Sequence, residues 1–379
     1  METWLRILYY IVFILGIPIG LIRYWLTKRK EQRGRDDATF DALDHKFMEF
    51  QRLCLDFPEL DIFDVPDKNA KDKNEFQRKQ ELIAFTFLFS IFERAHRTYK
   101  DVSKKSKKIE WTGWQEYIQQ FCVRENFLNA WKESGRTFNS DFQNYMQNLL
   151  ADTLVREIKD VKSTEFNSFI KLYINSFPEG ERETTEALSD WILRSSKGEL
   201  YPDNYHMLVI SLKQSNKIEA GALCHYISAL NGGFLGYLVV EPNIRNIGLG
   251  QILFNGVIKV IEMDSKRNRQ GVPLGIFAEI DKAQDNTQDI LRRLQFWRKC
   301  NMLPLDIEWK YPRLHTGEGP LNMYLAFCPY RNRPDYLTEK KAELAVRSIY
   351  DSVYRKKEDD QNLIEVIKSV TGKKIVRRF

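Results

Sequence analysis

The chain has 379 residues, 43% of them hydrophobic and 29% charged, with a formal net charge of +6. That length accommodates two domains with appendages, and the apolar content excludes wholesale disorder. The basic excess is mild and collects in short runs, which reads as a solvated basic surface, so nucleic acid is not an expected partner.

Residues 4–26 read WLRILYYIVFILGIPIGLIRYWL, without a charge from Ile7 to Ile22. With Arg23 snorkelling, the stretch reaches the roughly 20 residues that a bilayer core requires. Trp4, Tyr24 and Trp25 suit the two interfaces, and a membrane helix tolerates Gly16 and Pro18. A cleaved signal peptide fits less well, because the start is nearly uncharged and no A-x-A site follows. KRKEQRGR comes next and outweighs the single Arg6, so the positive-inside rule puts the rest of the chain in the cytoplasm. The expectation is a single-pass anchor over 1–27 in an inner or plasma membrane, N-terminus outside, and a basic juxtamembrane linker over 28–37.

Residues 38–160 read as an all-helical domain. FDALDHKFMEFQRLCLDF is amphipathic and stops near Pro58, and NEFQRKQELIAFTFLFSIFERAHRTYK is a second long helix. WTGWQEYIQQFCVRENFLNAWKESGRTF and NSDFQNYMQNLLADTLVREI supply two or three more, with Asn139 or Ser140 as N-cap. The aromatic residues suit helix packing, and contacts between copies of the chain would be made here.

From residue 163 the pattern changes. TEFNSFIKLYINSF and TTEALSDWILRSS are helices on either side of FPEGER. HMLVISLKQ, IEAGALCHYIS and GGFLGYLVVE are strands, and GLGQILFNGVIKVIEMDSKR is a helix. LGIFAEID is a strand, QDILRRLQFWRKC a helix and LNMYLAFCP a last strand. The order α-α-β-β-β-α-β-α-β predicts a mixed sheet with helices on both sides. After it, over 332–379, LTEKKAELAVRSIYDSVYRKK and DDQNLIEVIKSVTG add C-terminal helices, and KKIVRRF ends the chain as a basic tail.

Five scattered cysteines without a CxxC, and five histidines without ligand spacing, give no disulfide framework and no metal site. The informative stretch is VVEPNIRNIGLGQ, where a strand runs through a polar turn into two glycines that open a helix. Free N–H groups and the helix dipole make such a turn an anion site, and glycine admits the ligand to the backbone. The Walker A loop is absent, and the dinucleotide fingerprint lacks its third glycine and its place after a first strand.

Arg245-Asn246-Ile247-Gly248-Leu249-Gly250, after Val240-Glu241-Pro242, resembles the [Q/R]-x-x-G-x-[G/A] signature of the GNAT (GCN5-related) N-acyltransferase family. The resemblance covers about residues 163–331. FPEGER resembles the loop between the family's first two helices, and LRRLQFWRKCNM its R-x-F-Y-x-x-x-G-F helix. It implies an α/β (α+β) GNAT-like mixed sheet flanked by helices, here preceded by one transmembrane helix and an all-helical domain. It also implies acetyl-CoA as co-substrate and an amine acceptor, on a small molecule or a protein. By that resemblance, the N–H groups from Arg245 to Gly250 hold the pyrophosphate. Leu238, Val239 and Val240 pair with the pantetheine arm, and the Val240 N–H holds the oxyanion.

Amine acylation also needs a base, because an alkylamine is protonated at neutral pH. Glu279, Glu241 and Asp281 stand near the ends of the central strands, with Glu279 the first choice. The family's acidic tyrosine is replaced by Trp297 and its following glycine by Asn301, so Tyr311 or Tyr324 must serve if an acid is used. FPEGER and RLHTGEGP should line the acceptor pocket. The expected function is a membrane-anchored cytoplasmic N-acetyltransferase. The alternatives are a catalytically weak CoA-binding sensor or scaffold, and a helical effector carrying an inert fold.

Overall fold

The computed structural model describes residues 41–62, 74–100, 105–212, 217–245, 247–282, 288–312, 323–331, 333–373 and 375–378. They divide into two compact units, one of residues up to Phe121 with Glu133–Gln143, the other of Cys122–Lys132 and Asn144–Phe379.

The first unit is helical. Residues 41–56 form α1, followed by α2 (Glu75–Lys100) and α3 (Lys105–Cys122). Its aromatic residues meet one another edge-on: Phe92 with Trp114 at 6.3 Å, Phe85 with Phe121 at 6.2 Å and Phe47 with Trp114 at 5.2 Å between ring centroids. Phe85, Phe92 and Phe121 are fully buried, so these rings are core. Helices α4 (Glu125–Ser134) and α5 (Ser140–Leu154) follow along the chain.

Among the described residues no helix is long and apolar enough to cross a membrane. Even the longest, α2, carries Arg78, Lys79, Glu81, Glu93, Arg94 and Arg97 along its length. This corrects the expected architecture in its first element and removes the single-pass placement in an inner or plasma membrane drawn from it. The segment that prompted the expectation, residues 1–27, and the linker over 28–37 lie outside the described residues.

The second unit is built on one seven-stranded sheet. It contains β1 (Val155–Glu157), β2 (Asn204–Ile210), β3 (Ala220–Ile227), β4 (Gly232–Val240), β5 (Gly275–Asp281), β6 (Leu303–Pro304) and β7 (Met323–Pro329). The strand order is β1-β2-β3-β4-β5-β7-β6. All neighbours are antiparallel except β4 and β5, which are parallel. The mixed sheet is the one expected, with a first strand, β1, already formed at residue 155.

Side chains alternate across the strands and so define two faces. Helices α6 (Thr164–Ser176) and α7 (Thr185–Ser196) pack Phe166, Phe169, Tyr173, Leu188, Trp191 and Ile192 onto Tyr205, Met207, Val209, Leu223 and Val239. Each begins with a hydroxyl cap, Ser163 on the Phe166 N–H and Thr184 on the Ala187 N–H. Helix α8 (Leu249–Arg267) lies on the other face, where Ile261 closes on Gly233. Helix α9 (Gln288–Lys299) joins β5 to β6.

The C-terminal segment completes the first face. Strands β8 (Tyr336–Thr338) and β9 (Ile375–Arg377) pair with each other and bracket α10 (Glu339–Ser352) and α11 (Gln361–Val370). Ala345, Val346, Ile349, Tyr350, Val366 and Val370 join one core with Ile227, Phe234, Phe277, Leu325 and Phe327 of the sheet. Among the described residues of the basic end, 375–377 form β9, and the Arg378 guanidinium donates to the carbonyls of Asn301 and Phe327.

Candidate active site

β4 pairs with β3 along its whole length but with β5 only through Gly233, Phe234 and Leu235. The register on β3 steps from Leu235 opposite Cys224 to Tyr237 opposite Leu223, which leaves Gly236 as a bulge. A bulge bends and twists its strand, and beyond this one β4 runs with no β5 partner. Burial changes at the same point: residues 232–235 are buried, whereas Gly236 is exposed and Tyr237, Leu238 and Val240 are half-buried.

The free edge has a defined polarity. The Glu241 N–H donates to the Glu219 carbonyl at 2.8 Å, toward β3. Alternation along an antiparallel strand then aims the N–H groups of Val240 and Leu238 away from β3, into the opening. The Val240 carbonyl accepts the Arg245 Nε at 3.1 Å, which folds that side chain back over the strand end.

A 3-10 turn, Pro242–Ile244, leads to Gly248, the N-cap of α8, with φ of 92°. That left-handed backbone is the reason for a glycine here, and among the described residues the space beside it is open, since an added Cβ would meet nothing beyond its chain neighbours within 4 Å. The Gly248 carbonyl takes the Gln251 and Ile252 N–H groups. The N–H groups of Gly248, Leu249 and Gly250 have no acceptor among the described residues, as the first turn of a helix dictates. Ile247 is buried. Asn246, also expected in this cradle, lies outside the described residues.

Gly250 has a different reason. Phe296 of α9 lies 3.0 Å and Leu238 3.7 Å from where its Cβ would sit, so α9, α8 and β4 converge there. Arg293 binds Asp281 at 2.7 Å and ties α9 to the end of β5, so that candidate carboxylate is engaged in a salt bridge. Trp297 packs edge-on against Phe296 at 4.8 Å. Asn301, two residues past α9, adopts φ of 56°, a left-handed turn that asparagine tolerates.

Glu279 lies two residues after Phe277 on β5, on the face covered by α10. Trp309 Nε1 donates to its Oε1 at 2.8 Å and the Tyr354 hydroxyl to its Oε2 at 2.6 Å. Burial raises its pKa to about 7 against the pull of these two donors. Tyr311 is buried with its ring 5.8 Å from Tyr354. Burial and the charge of Glu279 both push its phenol well above the usual range. Tyr324 lies opposite Ile280 in the β5–β7 register and so belongs to the other face, with Lys282 over its ring. Glu241 stands at the end of β4 beside Lys217, 4.0 Å away.

The loop after α6 closes this face. Tyr237, the first residue past the bulge, accepts the Glu183 N–H at 3.2 Å and donates to the Glu181 carbonyl at 3.1 Å. Tyr173 also accepts that N–H, at 2.9 Å. The Glu183 carboxylate takes Trp191 Nε1 at 3.1 Å, and burial raises its pKa. FPEGER is thus held against β4, while RLHTGEGP lies outside the described residues. Sequence reasoning did not single out Trp309, Tyr354, Tyr237 or Glu183. Only Tyr237 carried a signal, its place within the strand that leads to the glycines.

No family model and no curated protein matches the chain. Among solved structures it is similar to a Bacteroides thetaiotaomicron protein assigned to the GNAT family of acetyltransferases, at TM-score 0.38 and 16% identity over 53% of this chain and 97% of that one. It is also similar to Ard1 of Thermoplasma volcanium, at TM-score 0.32 and 14% identity over 46% of this chain and 95% of that one. A third is the ribosomal-protein-S18-alanine N-acetyltransferase of Escherichia coli, at TM-score 0.31 and 15% identity over 46% and 92%. Likeness this distant says nothing of activity. The mixed sheet with its flanking helices fits the GNAT fold that the glycine motif implied.

Proposed function

We propose that the sheet-bearing unit is an acyl-CoA-dependent N-acyltransferase, with acetyl-CoA as donor and a primary amine as acceptor. The observation that carries this reading is the opening between β4 and β5. A free strand edge there leads directly to the open cradle at Gly248, and a carboxylate on β5 ionises near neutrality.

The parts suit a thioester and its carrier. Unpaired N–H groups at the start of α8 favour a pyrophosphate. The edge of β4 from Leu238 to Val240 offers an amide-bearing arm the hydrogen bonds of an added strand. The outward Val240 N–H can polarise a thioester carbonyl and stabilise charge that develops on its oxygen. Glu279, poised near pH 7, can take the proton that an ammonium must lose before it attacks. Tyr311 is the phenol beside it, although burial and the neighbouring carboxylate disfavour its ionisation.

A second reading, a CoA-binding sensor with little turnover, is favoured by Trp297, whose indole cannot supply the leaving thiolate with a proton. The two readings separate in a thiol-release assay with acetyl-CoA and a panel of primary amines. An acyltransferase releases CoA in proportion to acylated amine, and Glu279→Gln lowers that rate by about 100-fold or more. A sensor binds acetyl-CoA and releases none.

A further inference from the structure

We propose that Tyr354 is a positioning residue for Glu279, and that the C-terminal helices complete the active site by delivering it. The inference rests on the reading of Glu279 as proton acceptor.

Tyr354 lies two residues past the end of α10, a helix that joins the sheet core through Ala345, Val346, Ile349 and Tyr350. Its N–H donates to the Ile349 carbonyl. The next residue, Arg355, has φ of 54°, while the Lys356 N–H reaches back to the Tyr350 carbonyl. The left-handed turn at Arg355 stops the helix, with arginine where glycine is usual. The turn sends the two side chains to different anchors. Arg355 lies 4.2 Å from the Trp191 ring centroid and binds Asp190 at 3.3 Å. Tyr354 enters a box of rings formed by Tyr311 at 5.8 Å, Phe234 at 6.1 Å and Tyr350 at 6.3 Å. Its hydroxyl ends 2.6 Å from Glu279 Oε2.

Trp309 grips the other oxygen, so the carboxylate plane is fixed at both ends. Both donors are neutral and both favour the ionised form, which offsets part of the burial. The other titratable groups facing this pair are Tyr311, Tyr237 and Tyr350, with Tyr173, Glu181 and Glu183 beyond Tyr311 and Asp360 and Glu365 beyond Tyr350. Trp309 can only donate, whereas a phenol can turn and accept. Tyr354 therefore stays bonded to Glu279 both before and after the carboxylate takes a proton from the amine.

The test is Tyr354→Phe in the full chain, which keeps the ring in its box and removes only the hydroxyl. Tyr350→Phe is the control, because the Tyr350 hydroxyl donates to the Lys310 carbonyl and not to Glu279. The Glu279 carboxyl is titrated by carbon NMR in parent and variants, identified by its loss in Glu279→Gln, and thiol release is followed across pH. In Tyr354→Phe the Glu279 midpoint and the acid limb of kcat/KM both move up by about one pH unit, roughly a fivefold loss at pH 7 and about tenfold on the acid side. Tyr350→Phe moves neither. An unmoved Glu279 midpoint in Tyr354→Phe overturns the proposal. If the parent releases no thiol with any amine, the enzyme reading fails, and the NMR shift alone decides whether Tyr354 governs Glu279.

Discussion

The Phe296 ring occupies the space that a side chain on Gly250 would need, with Cε2 3.0 Å and Cζ 3.4 Å from the Cβ position. One aromatic residue of α9 thereby rests on the first turn of α8, beside the free edge of β4. The contact is tight enough that an added methyl makes the ring yield by a few tenths of an ångström, and a branched side chain makes it leave.

Gly250→Val should therefore weaken acetyl-CoA binding by about tenfold, equivalent to about 1.4 kcal/mol, while Gly250→Ala has a smaller effect. Isothermal calorimetry measures both. Equal affinity in all three proteins would mean that the Phe296 contact does not shape the cradle.

Gly248 makes the opposite prediction. Among the described residues no atom beyond its own chain neighbours lies within 4 Å of its Cβ position, so substitution meets backbone strain at φ of 92°. Gly248→Ala should lower stability by about 1–2 kcal/mol, and Gly248→Asn by less, because asparagine visits left-handed backbone more readily. Urea midpoints give the comparison. An alanine variant as stable as the parent would contradict the strain account.

At the far edge of the sheet, His206 lies between two carboxylates, 2.5 Å from Glu157 and 2.7 Å from Asp264. Burial opposes a charged ring, but the bonds to Asp264 and Glu157 and their charges outweigh it, and the pKa rises from 6.5 to about 9. Raised in the folded state, it stabilises the fold fully below pH 6.5 and loses that contribution as pH climbs through 9. The difference of about 2.5 units corresponds to about 3 kcal/mol. Unfolding free energies at pH 6 and pH 10 should differ by this order in the parent and much less in His206→Gln. Parallel pH curves for the two proteins would refute the linkage.

The legible part of the fold was its periodic part. GGFLGYLVVE, LGIFAEID and the run after Gly248 are strand, strand and helix as their patterns predict. β1 was hidden because three residues at the end of a long helical run carry no period, and their pairing with β2 is supplied from about 50 positions away. β6, two residues long, was hidden for the same reason. The site divides similarly. The glycines were readable because backbone conformation demands them locally. Tyr354 was not, since its role exists only after α10 folds back onto the sheet and brings it to Glu279, 75 positions earlier. The bulge at Gly236, which opens β4 from β5, depends on pairing with β3 and had no local signal.

The proposed function requires the opening beside Gly248 to take a CoA thioester. Its most direct test is calorimetric titration of acetyl-CoA into the full chain, repeated with Gly248→Glu, whose carboxylate would project into the cradle and repel a pyrophosphate. Saturable one-site binding is expected in the parent, and its loss in a folded variant. No binding by a folded parent, or equal binding by both proteins, would contradict it.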